Sequence, residues 1–186
     1  MKKLNLMRTI VNITTILLVV LLVAQIALLF MPYFEGRVLK KTYQRPDPQP
    51  TDFSMMDYAF FQTEDLEYVF KAETKSILNG QKYSANLFVM EIVWAFTLGA
   101  IALVFNITSK RGFFTQIVSI LWAVVAIPGF LTGAVFTFAN TVQWVHTACI
   151  IVSILGGVVV LVRLFPWFAD RFLQKKFMEE EAAAEA

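Results

Sequence analysis

Residues Leu87–Ile107, LFVMEIVWAFTLGAIALVFNI, decide the fold class. The run carries a single charge, Glu91. At a rise of ~1.5 Å per residue, about 20 residues suffice to cross a hydrocarbon core of ~30 Å. On a helix Glu91 shares a face with Ala95, Leu98 and Ala102, and Gly99 flanks that face. A carboxylate is costly in lipid and should point to protein or water. Small residues let membrane helices approach closely. Both signals select the same inward face.

Three more apolar runs lie around this one. Residues 9–31 follow a basic head, MKKLNLMR, at positions 1–8. A signal peptide is the competing reading, but its apolar region is usually ~7–15 residues and ends in a small-residue cleavage site. This run is longer and lacks that site, so it is read as a first span ended by Pro32 and Gly36. After the second span, residues 108–112 (TSKRG) form a basic connection, and residues 113–138 form a third span containing Pro128 and Gly129. An interior proline usually kinks such a helix. Residues 139–143 are a short uncharged loop. Residues 144–165 are a fourth span, closed by Pro166 and flanked by Trp144 and Trp167 at aromatic-belt positions. Residues 166–186 begin with a basic amphipathic piece suited to a membrane surface and end in the acidic tail MEEEAAAEA. The composition agrees. The 186 residues are 58% hydrophobic and only 16% charged, against ~25% charged in a typical soluble domain.

The fold expected is an all-α membrane protein: a four-helix transmembrane bundle with an outer loop of about 50 residues at positions 32–86. That loop has seven Lys/Arg and eight Asp/Glu between Tyr33 and Ala85, so it is nearly neutral. Prolines 46, 48 and 50 make an extended spacer. Ser54 and Asp57 have capping-box spacing, and Thr63 with Glu64 and Asp65 offers a second helix start. Two short helices are expected, then a turn at Asn79-Gly80. A strand over Glu67–Glu73 is the alternative, because the same residues alternate. Six aromatics between Phe53 and Phe70 need cover. They either pack on the outer ends of the spans or dock a partner, for which Phe60, Phe61, Tyr68 and Phe70 are the candidate interface.

Basic residues cluster in the head, in the second connection and after the fourth span. The positive-inside rule then puts both termini in the cytoplasm of a plasma membrane and residues 32–86 outside. Arg37, Lys40 and Lys41 argue the other way. In that topology Glu91 and His146 are both shallow in the outer leaflet. His146 continues through Cys149, Ser153 and Gly157 on one face. A Glu91–His146 hydrogen bond is one expectation, with Gln25 and Asn140 completing a polar cluster. The other is that both reach the headgroups separately. Gly129 and Gly133 form a GxxxG that, with Ala95, Gly99, Ser153 and Gly157, marks candidate packing positions. Arg163 is expected to reach the inner surface, at headgroups or helix-end carbonyls.

One cysteine and one histidine exclude a disulfide framework, a CxxC site and a paired-histidine metal site within one chain. There is no P-loop and no G-x-S-x-G elbow. No cofactor, metal or nucleic acid is expected, and no enzymatic role. The order of spans and loops is similar to that of claudin-like tetraspan proteins. The tryptophan and paired cysteines of the claudin loop are absent from Tyr33–Ala85, so no residue roles carry over. The leading expectation is a membrane scaffold or accessory subunit that docks a partner through its outer loop. The alternative is a small homo-oligomeric transporter or channel using Glu91 and His146.

Overall fold

The computed structural model describes the whole chain except residues 1, 35, 41–51, 61–65, 71–74, 111, 138–141 and 186. At 2–4, 36–40, 66–70, 75–89, 132–137, 173 and 177–185 it describes the backbone alone. It contains four long helices: α1 (Lys2–Leu29), α3 (Lys75–Thr108), α4 (Phe113–Thr137) and α5 (Gln143–Glu185). Each contains a segment long and apolar enough to cross a membrane. The helices pack in a ring: α1 touches α5 and α3, and α4 touches α3 and α5. Arg8, near the start of α1, and Asp170, late in α5, form an ion pair of 3.4 Å. Both terminal helices therefore end on one side, here called the basal end.

Between α1 and α3 lies a small cap at the other end. It holds β1 (Pro32–Phe34), β2 (Gly36–Lys40), β3 (Phe53–Ser54), the short helix α2 (Met55–Phe60) and β4 (Leu66–Phe70). β1 pairs with β3 and β2 with β4, both antiparallel, the second with Gly36 opposite Phe70 and Lys40 opposite Leu66. The chain is thus not wholly helical. The second short helix expected after Thr63 gives way to a strand at Leu66–Phe70, the alternative reading of that stretch. LEYVF alternates and is rich in aromatic and β-branched residues, and GRVLK supplies a partner for its backbone. Pro32 heads its strand, where a missing N–H is tolerated.

α2 starts as its spacing predicts. Asp57 Oδ2 accepts from the Ser54 backbone N–H (2.9 Å) and hydroxyl (2.7 Å), while the Asp57 N–H donates to Ser54 Oγ (3.0 Å). This reciprocal pair satisfies donors that the first turn leaves open. Two helix ends differ from expectation. No turn forms at Asn79-Gly80, because α3 already begins at Lys75 and runs through both residues. Asn-Gly signals a hairpin only between strands, and one interior glycine costs a helix only ~1 kcal/mol. Nor does Pro166 end the fourth helix. α5 passes through it to Glu185, held on either side by Arg163 against the end of α3 and by Trp167 on Phe113.

Candidate functional site

Trp122 of α4 is almost fully buried and sits at the centre of the ring. It fits because two glycines face it. A Cβ at Gly99 would lie 3.3 Å from Trp122 Cδ1 and Nε1, and one at Gly156 only 2.3 Å from Cη2 and 2.7 Å from Cζ3. Polar side chains lie on both sides of this hub.

On the basal side the residues form a connected network. Asn106 Nδ2 donates to the Ala102 carbonyl (2.7 Å) and to Ser119 Oγ (3.1 Å), and Ser119 donates to the Thr115 carbonyl (2.6 Å). Thr115 in turn donates to the Ser109 carbonyl (2.6 Å) just beyond α3. Arg163 of α5, 0% exposed, completes the network. Its guanidinium donates to Asn106 Oδ1 and to the Lys110 carbonyl. Arg163 does not reach the surface. It meets the carbonyl-rich end of α3, where the helix macrodipole favours a cation. Arg163 Nε and both amide atoms of Gln116 are buried with no hydrogen-bond partner among the described residues. Further out, Arg8 and Gln174 both bond the Asp170 carboxylate, each at 3.4 Å.

On the cap side the described members of the expected cluster make the following contacts. The Tyr33 hydroxyl and His146 Nδ1 share a buried hydrogen bond of 2.5 Å. Gln25 Nε2 donates to Ser153 Oγ (3.2 Å), which donates to the Cys149 carbonyl (2.8 Å). Glu91 lies on Gly129, where an added Cβ would stand 3.4 Å from its Cβ and 3.5 Å from Oε2. The Glu91–His146 hydrogen bond is not formed. One imidazole nitrogen is taken by Tyr33, and Nε2, like Gln25 Oε1, is buried with no hydrogen-bond partner among the described residues. The cause is the cap, since β1 brings Tyr33 down onto α5 and the Tyr33 carbonyl also accepts from the Val142 N–H (2.8 Å). Around this clamp Phe34 packs edge-on to Tyr33 at 4.8 Å and against Phe53 and Tyr58 at 5.4 and 5.6 Å.

Of the other candidate residues, Ala95 and Ser153 are buried, and Gly157 lies against Ile127. Gly133 is in α4, but its surroundings are outside the described side chains, as are the side chains of Tyr68 and Phe70 in β4. Asn140 and Phe61 lie outside the described residues. Phe60, at the end of α2, is 53% exposed. Sequence reasoning passed over Tyr33, Asn106, Thr115, Gln116, Ser119, Trp122 and Gly156. A signal existed for some of them. Thr115 and Ser119 are four apart and Gln116 is adjacent, so a polar strip runs up an otherwise apolar helix, and Arg163 has no carboxylate near it in sequence.

Among the described residues, no group of three or more His, Cys, Asp or Glu is placed to hold a metal ion. No family model, curated protein or solved structure matches the chain.

Proposed function

We propose that this chain is a non-enzymatic subunit of a plasma-membrane assembly. In this reading it is a four-helix transmembrane bundle with both termini cytoplasmic, and its extracytoplasmic cap docks a partner protein. One observation carries the reading. The cap is clamped by buried contacts, Tyr33 to His146 and Tyr33 to Val142, while Phe60 stands half-exposed at its edge. A fixed platform with an exposed aromatic suits docking, because ordering costs are met before the partner arrives and aromatic anchors dominate interfaces.

The test is purification of the tagged full chain in mild detergent, with the mass and composition of the particle determined for wild type, Phe60→Asp and Glu91→Gln. The expected result is a stoichiometric second protein, retained with Glu91→Gln and lost with Phe60→Asp. A particle containing only copies of this chain counts against it. That result favours the transporter or channel reading, which draws support from His146 Nε2 and Gln25 Oε1, both buried with no hydrogen-bond partner among the described residues. Ion flux in liposomes that is abolished by Glu91→Gln would then establish the alternative.

A further inference from the structure

Between α4 and α5 an open groove of about 460 Å³ runs along the outside of the helix ring. Its walls are apolar throughout, with Ile120, Val124 and Ile127 on one side and Gly157, Val158 and Leu161 on the other. Val124 and Leu161 on its rims are 61% and 68% exposed, so it opens outward. Along α5 the lining runs from Ile154 to Leu164. At ~1.5 Å per residue that is about 15 Å, half of a ~30 Å hydrocarbon core. The groove is therefore one leaflet deep, too short to seat a crossing helix along its length.

The basal mouth of the groove is chemically different. The helical stripe through Val158, Leu161 and Leu164 continues on α5 to Phe168, Arg171 and Lys175. Arg171 lies over the Trp167 ring, 5.5 Å from its centroid. Trp167 is buried, stacked on Phe113 of α4 at 6.3 Å and edge-on to Phe168 at 4.8 Å. Seven residues beyond Leu164, or about 10 Å, put the Arg171 backbone at the outer edge of a headgroup layer about 5–7 Å thick, so that its long side chain reaches back to the phosphates. Exposed Phe168 and Phe172 flank it. A cation on an ordered aromatic base at the end of a leaflet-deep apolar channel matches one amphiphile in both parts.

We propose that this groove is a binding site for a single anionic phospholipid. One acyl chain lies between α4 and α5, and the phosphate is held at Arg171. The site does not depend on the cap docking a partner, and its test reads lipid rather than protein.

The full chain is reconstituted in nanodiscs of equimolar phosphatidylglycerol and phosphatidylcholine, re-extracted in mild detergent, and the retained lipid is identified by native mass spectrometry. The expected result is one retained lipid per chain, with phosphatidylglycerol preferred about fivefold, the scale of one basic residue near an anionic surface. Val124→Trp with Leu161→Trp fills the groove from exposed positions and should abolish retention. Arg171→Gln should abolish the preference. Unchanged helical content and melting temperature identify folded variants; Leu161→Phe replaces the double variant if that fails to fold. Retention that survives groove filling overturns the site, as does equal retention of the two lipids by wild type. Cross-linking of two chains through Val158→Cys in the bilayer would put a second copy in the groove and also overturn it.

Discussion

Arg163 and Arg8 show how differently one charge can count. Arg8 pairs with Asp170 at 3.4 Å, but its side chain is 38% exposed. Such a pair contributes about 0–1 kcal/mol, and Arg8→Ala should shift stability in detergent by no more than that. Arg163 has no water to fall back on, and Asn106 supplies the side-chain oxygen that meets it. Asn106→Leu removes that oxygen while leaving the Lys110 carbonyl in place, and should destabilise by about 1.5–3 kcal/mol, the scale for a hydrogen bond to a charged group. The double variant Asn106→Leu with Arg163→Met should lose less than Asn106→Leu alone, because the stranded charge goes too. An unfolding titration of the three variants checks the coupling, and simple additivity would count against the network. Tyr33→Phe is a milder case. It leaves His146 Nδ1 buried without its partner and should cost about 1–3 kcal/mol. The change should also speed amide exchange in the cap strands while leaving the basal end protected.

The helices pack by size matching around Trp122. Gly156→Ala places a Cβ where the ring already lies, 2.3 Å from Cη2. Overpacking of this kind costs about 1–3 kcal/mol, and Trp122→Phe should recover part of it in the same background. A loss from Gly156→Ala that Trp122→Phe does not relieve would show that the ring is not the obstacle. The same scale explains what could be read in advance. Glu91, Ala95, Leu98 and Ala102 share a face by helical period, and Ala95 and Ala102 are buried. The Ser54–Asp57 cap also follows from local spacing, because it needs only residues three apart. The strand at Leu66–Phe70 was ambiguous for the opposite reason. Its i,i+4 pair suits a helix and its alternation a strand, and the choice came from GRVLK, some 30 residues earlier.

On the scale of the whole molecule, the Arg8–Asp170 contact puts the start of α1 and the late part of α5 side by side. In the proposed topology, fluorescent fusions at either terminus should be active, and an alkaline phosphatase inserted among prolines 46, 48 and 50 should be exported and active. A silent insertion beside an active terminal phosphatase would reverse the orientation. The sequence by itself determined the class of this protein. Four apolar runs of spanning length leave a chain little choice in lipid, where each backbone group must be satisfied within its own helix. Period also assigned an inward face, since it is a property of one helix. Only the tertiary structure decided the partners. His146 meets Tyr33 rather than Glu91, and Arg163, for which headgroups and helix-end carbonyls were both open, meets Asn106 and the end of α3. Period fixes the angle at which a side chain leaves its own axis, but not which neighbour stands there. That depends on the crossing, height and order of helices far apart in sequence, set here by a tryptophan between two glycines and by a strand laid across the cap end.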